Sequence, residues 1–381
     1  MSPARVRCVI IGAGFAGAST ASALARAGFG PGLVLEREPM FGVHASGRNA
    51  GIVRLVDEDP LIRTLALRSL ERLRTLQLEG APVMRETGGL SLATRLQADA
   101  LFERHTALLA AGLTTTAVLT AAQARARFPF LSVFDFDLAL WCPAEGIVDI
   151  HALLTLYLQQ ARRMGFTFRP RCPVDGLIIE AGRVKGVCVA GEEIRAEIVV
   201  DATGAWAGRI GRPEPLPLRP LRRHLCVTGR TPGWDRDAPY VWMWSDEFYC
   251  RSEAGGLLMS PCDETASQAP PATDPAAIDL LADRLTRYAP GLLDLPLRRS
   301  WACLRTFTPD RRPFVGPDPA LPGLYHVSGL GGFGMMTSAA IGEAAAAATG
   351  GRHLDWIDLR ALSLTRVMPA PDAESTAVER A

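Results

Sequence analysis

The sequence predicts an α/β protein with two parts, one built on a parallel sheet that holds a dinucleotide and one built on an antiparallel sheet. Three observations carry this expectation. A buried strand, a glycine-rich turn and a helix stand at the N-terminus. A strand-rich, aromatic stretch fills 221–260, and the proline-rich run Pro213–Pro220 reads as a crossing between the parts. The chain's 381 residues are enough for two or three structural domains.

Val6–Ile11 is the run Val-Arg-Cys-Val-Ile-Ile, the pattern of a strand buried on both faces. It runs into Gly12-Ala13-Gly14-Phe15-Ala16-Gly17, then a helix over Ala18–Ala27 stopped by Gly28, then a strand Leu33-Val34-Leu35-Glu36. This is a Rossmann-like βαβ start carrying GxGxxG, with an acidic residue at the end of its second strand. Gly12 permits the tight turn, Gly14 lets a pyrophosphate approach the backbone, and Gly17 lets helix and strand pack closely. The helix N-terminus offers free N–H groups and partial positive charge. Glu36 suits a ribose diol.

Helical patterns follow at about 60–79 and 97–111, with a short helix over 120–127 stopped before Pro129. Asp149–Met164 reads as a helix with Asp149 as N-cap. Strands are expected at 166–169, 174–180, 183–190, 192–195 and Glu197–Asp201, the last leading into Ala202-Thr203-Gly204-Ala205-Trp206. Thr265–Pro275 reads as a loop, Asp279–Tyr288 as a helix and Leu297–Phe307 as a strand. Leu324–Ser328 is a strand that feeds Gly331-Gly332-Phe333-Gly334 and a helix Met335–Thr349. Met368–Ala381 reads as a tail.

Composition narrows the chemistry. Of 41 basic residues, 40 are Arg, and Lys185 is the single lysine, in the expected hairpin turn Gly182–Gly186. A Schiff-base or pyridoxal-phosphate enzyme needs a lysine amine at its chemistry, and a P-loop needs Lys before Ser/Thr, so both classes are set aside. A net charge of +1 gives no global pull toward nucleic acid or an anionic membrane. Eight cysteines show no CxxC and no metal-ligand spacing, so no metal is expected, and reduced thiols in a cytoplasmic protein without a leader are the natural expectation. Met335–Thr349 is too short and polar to span a bilayer.

Five segments in this order resemble the FAD-dependent D-amino acid oxidase family (DAO), with its glycine oxidase and sarcosine oxidase-like members: Val9–Gly14 through Glu36-Arg37; His44–Ile52; Asp201–Trp206; Trp301–Asp310; and Gly331–Ser338. The resemblance covers about Val6–Ala348. It looks nearest to bacterial D-arginine-type D-amino acid dehydrogenases, over Leu33–Gly47, Asp246–Tyr249 and Thr337–Ala344. It implies a DAO/glutathione-reductase-like fold. A discontinuous FAD domain would take 1–85, 144–215 and 301–366, an α+β substrate domain 86–143 and 216–300, and a tail 367–381. FAD would be held by Gly12, Gly14, Phe15, Ala16, Gly17, Glu36 and Arg37, by Ser46, Arg48, Asn49, Ala50 and Gly51, and by Val174, Ala202, Gly204 and Trp206. Arg305, Gly331, Gly332, Phe333, Gly334, Met335, Met336 and Thr337 complete the set. The second glycine cluster would aim a helix N-terminus at the flavin, whose reduced form is anionic.

The family places an Arg on the strand of the Trp-x-x-x-Arg segment, here Arg305. A second Arg on the floor strand matches Arg223, with Arg222 as the alternative because strand neighbours face opposite ways. Tyr249 matches a tyrosine on the same substrate carboxylate, and Gly332 lies at the reacting centre. The implied reaction is oxidative deamination of a D-amino acid by hydride transfer from Cα–H to flavin N5, with carboxylate clamping and orientation supplying much of the catalysis. His44 reads as structural. Cys303 stands where sarcosine oxidase-like members bond the flavin covalently, and a buried inert thiol is the other reading. Electrons would pass to a quinone or dye-like acceptor, or slowly to O2, since the oxygen-activating lysine of sarcosine oxidase-like members has no counterpart. The alternatives are an oxidase of secondary amino acids or N-alkyl glycines, a 2-hydroxy acid dehydrogenase and a non-catalytic flavoprotein. The enzyme is expected as a monomer or homodimer. No acidic residue is visible near the strand Gly88–Ser91, and Ile52 and Asp57 stand where D-arginine enzymes often carry His or Tyr, which argues against a D-arginine-selective pocket. Trp242, Met243 and Trp244 suggest either a large apolar pocket or an ordinary core.

Overall fold

A computed structural model describes residues 4–231, 234–244, 247–267 and 271–368. Asp246, in one segment of the resemblance, and 369–381 of the expected tail lie outside these residues.

Two large sheets organise the chain. The first has eight strands, in the order Phe166–Arg169, Gly32–Leu35, Ala4–Ile11, Glu192–Asp201, Arg183–Val189 and Gly176–Glu180. Leu324–Ser328 adds to Glu192–Asp201, and Phe314–Pro317 pairs with Leu324–Ser328. Its centre is parallel, with Ile11 in register with both Leu35 and Asp201. The strand ends that carry Gly12, Glu36 and Ala202 therefore emerge side by side, the arrangement in which open α/β sheets bind ligands. Helices Phe15–Arg26, Ile150–Arg163 and Ser338–Thr349 cover one face. Gly342 lets the last of these close on the first, since a Cβ there would lie 2.7 Å from Ser19 O.

The second sheet has nine strands: Thr265–Ala266, Arg219–Thr228, Gly256–Ser260, Phe248–Glu253, Tyr240–Met243, Gly89–Ala93, Leu138–Cys142 and Ala117–Thr120, with Leu297–Phe307 on the other side of Arg219–Thr228. Its pairs are antiparallel except Tyr240–Met243 with Gly89–Ala93. Leu297–Phe307 belongs wholly to this sheet, so the expected boundary at 300/301 falls inside one strand.

Several element bounds differ from expectation, each for a local reason. The helix expected over 60–79 is Pro60–Leu73, because Glu79 and Gly80 both take positive φ and turn a hairpin that pairs Gln77–Leu78 with Ala81–Pro82. Strands 192–195 and 197–201 are one strand, Glu192–Asp201. The helix expected at Asp279 begins at Pro275, where Asp274 accepts from Ala276 N–H at 3.1 Å and Pro sits at the first position. The first helix begins at Phe15, and the last begins at Ser338 rather than Met335. All eight cysteines are free thiols. Among the described residues no helix is long and apolar enough to cross a membrane, and no cluster of three or more His, Cys, Asp or Glu could hold a metal.

Candidate active site

One cavity of about 550 Å³ runs from the first glycine turn to the second sheet. At the nucleotide end Gly12 has φ +99°, and a Cβ on it would lie 2.6 Å from Ala202 O, so only glycine fits. Gly17 does not line the cavity. A Cβ there would stand 1.9 Å from Gly12 O, so its role is the close packing of helix on strand. Gly14, Phe15 and Ala16 form the wall. Ala13 N–H donates to Glu36 Oε2 at 2.9 Å and Glu38 N–H to Glu36 Oε1 at 3.0 Å, which fixes that carboxylate while each oxygen keeps acceptor capacity. The helix N-terminus is not wholly free as expected, because Phe15 N–H donates to Ser46 Oγ at 2.9 Å. The N–H groups of Ala16 and Gly17 still lack intrahelical acceptors.

Arg37 lies over the Trp206 ring at 3.8 Å, and His44 packs on the same ring at 4.7 Å. His44 Nε2 stands 2.9 Å from Glu38 Oε1, and with Arg37 it holds the Glu38 carboxyl below its ordinary range. Val174, Ala202 and Gly204 complete this end. The segment 45–51 is folded on itself: Asn49 donates to Ser46 O at 2.7 Å and accepts from Gly51 N–H at 2.8 Å. Arg48 donates to Val43 O at 3.0 Å and Ala302 O at 3.2 Å, tying this segment to Leu297–Phe307. Ser46, Arg48, Asn49, Ala50 and Gly51 all line the cavity.

Beneath the turn 202–206 lies a buried network. Asp318 accepts from Arg212 Nε at 2.8 Å and stands 2.8 Å from His326 Nε2, while His326 Nδ1 is 3.7 Å from Asp201, an ion-pair distance rather than a hydrogen bond. Against their own burial, His326 and hydrogen-bond donors hold Asp201 and Asp318 below the usual carboxyl range, and the two carboxylates raise His326.

Further along, Gly331, Gly332, Phe333, Gly334, Met335 and Met336 line the cavity. They do so as a turn and not as the first turn of a helix, because Gly331 is left-handed (φ +53°) and its N–H is spent on Thr306 O at 2.9 Å. Thr337 does not line the cavity; its hydroxyl donates to Phe333 O at 2.9 Å. Gly332 lies against Arg305, whose Nη1 a Cβ would meet at 2.7 Å.

Antiparallel register sets the end of the cavity at the second sheet. Arg223 is opposite Cys303 and Leu221 opposite Arg305, so Arg223, Cys303 and Arg305 share the cavity face. Arg222 faces away and pairs with Asp274. Arg223 is 1% exposed; its Nη2 donates to Glu264 Oε1 at 3.1 Å, and its Nε and Nη1 have no partner among the described residues. Tyr249 stacks on Trp242 at 4.8 Å. Burial pushes its phenol above the ordinary value against the pull of Arg305 and Arg223, so it stays a hydrogen-bond donor. Burial likewise raises the Cys303 thiol. Of Trp242, Met243 and Trp244 only Trp242 lines the cavity; Met243 and Trp244 pack in cores.

Sequence reasoning missed five charged lining residues: Arg54, Arg209, Glu247, Glu264 and Arg311. Arg54 lies over Trp242 at 4.1 Å and pairs with Asp57 at 3.2 Å. It also missed Glu145, a carboxylate that does stand beside the strand Gly89–Ala93. Glu145 is fully buried outside the cavity, accepting from Leu55 and Val56 N–H and from the Tyr240 hydroxyl. Only the third dimension brings it there.

The family model "FAD dependent oxidoreductase" (DAO) matches residues 7–348. The chain belongs to this family. FAD is accordingly its cofactor, and the nucleotide end fits it independently, with side-chain-free walls at Gly12 and Gly14, a fixed Glu36 and open helix N–H groups. Human mitochondrial sarcosine dehydrogenase is 26% identical over 363 residues, covering 90% of this chain, and the chain spans only 39% of that protein's length. Among solved structures, L-proline dehydrogenase from P. horikoshii superposes with a TM-score of 0.83 at 23% identity, over 96% of this chain and 98% of that one. Glycine oxidase from Geobacillus kaustophilus gives 0.82 at 24% identity, over 96% and 100%. These relatives support the family and the fold, and not the expected nearness to D-arginine-type enzymes.

Proposed function

We propose that the chain oxidises the carbon–nitrogen bond of an amino acid, with a D-amino acid as the first substrate class. The observation that carries this is the pair Arg305 and Arg223 on one face of the cavity, with two buried nitrogens of Arg223, Nε and Nη1, unpartnered among the described residues. Bidentate guanidinium contacts are the strongest side-chain match for a carboxylate. In this reading Arg305, Arg223 and the protonated Tyr249 hold the α-carboxylate and so orient Cα–H. Gly332 keeps the space beside Arg305 free of a side chain, and Trp242 shields the site from water. Bound FAD supplies the acceptor for the hydride; Gly12, Gly14, Glu36, Ser46 and the turn 331–336 would hold it. Cys303 lines the wall as a neutral thiol, which favours the non-covalent reading. Lys185 lies on Arg183–Val189 and is not among the cavity-lining residues, which supports a quinone or dye-like acceptor over fast transfer to O2.

A second reading, a secondary amino acid or N-alkyl glycine, is supported by relatives named for sarcosine and L-proline. An anaerobic panel of D-amino acids, L-amino acids, N-methyl amino acids and 2-hydroxy acids separates the two readings by flavin bleaching. Bleaching by D-amino acids is expected. Bleaching by N-methyl substrates alone installs the second reading, and no bleaching by any of them removes both.

A further inference from the structure

We infer that Glu264 is a built-in competitor for the substrate carboxylate at Arg223, held in check by Arg311. This rests on the carboxylate-clamp reading above. Glu264 lines the cavity with its side chain 30% exposed, whereas the Arg223 side chain is buried. Glu264 Oε1 accepts from Arg223 Nη2 at 3.1 Å and from Arg311 Nη2 at 2.8 Å, and Oε2 accepts from Arg311 Nη1 at 3.1 Å.

A guanidinium offers a carboxylate two paired edges, and Nη2 belongs to both. Glu264 therefore claims a hydrogen on one edge and leaves the rest of Arg223, with Nε and Nη1 unpartnered, to an incoming anion. The internal carboxylate is tethered, so it competes at high effective concentration. It also offsets one of the three cationic charges of Arg223, Arg305 and Arg311. The contact with Arg311 is the two-point one, and Arg311 is itself steadied over the Phe307 ring at 3.9 Å. An arriving carboxylate takes Arg223 while Glu264 stays on Arg311. Burial would raise the Glu264 carboxyl, but Arg311 and Arg223 outweigh it and keep it ionised, so the competition operates throughout the neutral range.

The two partners of Glu264 make opposite predictions. Holoenzyme is titrated with acetate and propionate, followed by perturbation of the flavin spectrum, with acetamide and propionamide as uncharged controls. Glu264→Gln is expected to tighten carboxylate binding about tenfold and leave the amides unchanged. Arg311→Gln is expected to weaken carboxylate binding about threefold, by releasing Glu264 onto Arg223, and to have a clearly smaller effect when Glu264 is already Gln, where only the loss of one cavity cation remains. Both side chains reach solvent, and flavin content confirms that each variant is folded. Unchanged or weaker carboxylate binding in Glu264→Gln overturns the inference, as does an Arg311→Gln effect that is undiminished in the double variant. If neither carboxylate perturbs the wild-type flavin, the clamp reading itself falls.

Discussion

The two ends of the cavity are built on opposite plans. At the nucleotide end the polar groups already satisfy one another: Glu36 takes Ala13 N–H, Ser46 takes Phe15 N–H, and Asn49 folds back on its own segment. At the substrate end the donors outnumber their partners: Arg305 has no hydrogen-bond or ion-pair partner among the described residues, and Arg223 and Trp242 keep buried N–H groups unpaired. A buried unpaired donor costs stability, so several of them in one place fit the acceptor-rich ligand proposed above. The first end is shaped by backbone, the second by charge.

That contrast predicts a double dissociation. Arg305→Leu removes charge from the substrate end and leaves Gly12, Gly14, Glu36 and Ser46 untouched, its neighbour in the FAD-holding turn being Gly332. Substrate bleaching should fall roughly a hundredfold or more in kcat/KM with FAD still bound. Activity near wild type would remove Arg305 from the site. The converse is Gly14→Val. Gly14 has an extended backbone (φ −78°, ψ −171°) that any residue adopts, but its Cβ would meet Ser46 Oγ at 2.7 Å. The cost is therefore steric and local. FAD affinity should fall about tenfold to a hundredfold, the 1–3 kcal/mol typical of overpacking, while re-saturated enzyme keeps its substrate KM. Retention of FAD through gel filtration at the wild-type level would show that Gly14 is not the close-approach point.

The same contrast explains what could be read before the structure. The nucleotide end is contiguous: Gly12–Gly17, Glu36 and 44–51 form short segments whose spacing is itself the geometry. The floor strand was legible too, but which of Arg222 and Arg223 faces the cavity depended on register with Leu297–Phe307, which no local pattern contains. Glu264, Arg311 and Arg54 escaped because each looks like an ordinary surface charge until strands distant in sequence converge. Gly331–Gly334 misled in another way. A glycine cluster before an apolar run looks like a strand–helix turn, but the left-handed Gly331 delays the helix to Ser338.

The network under the nucleotide end offers the gentlest test, because it acts through pH. Asp201 and Asp318 are two carboxylates facing two cations, Arg212 and His326. The carboxyls lie below their ordinary value in the fold, so their stabilisation is complete above that value of 3.8 and is lost as pH falls below it. His326 lies above its ordinary 6.5, so its share is complete below 6.5 and is lost as pH rises through the raised value. Thermal stability should therefore decline on both sides. The alkaline limb, where His326 gives up its proton, should cost roughly 2–4 °C in Tm. His326→Gln should flatten that limb and shrink the acid limb without abolishing it, since Arg212 still faces Asp318. An unchanged alkaline slope in His326→Gln would mean that His326 is neutral in the fold, and that Arg212 alone balances the carboxylates beneath the nucleotide end.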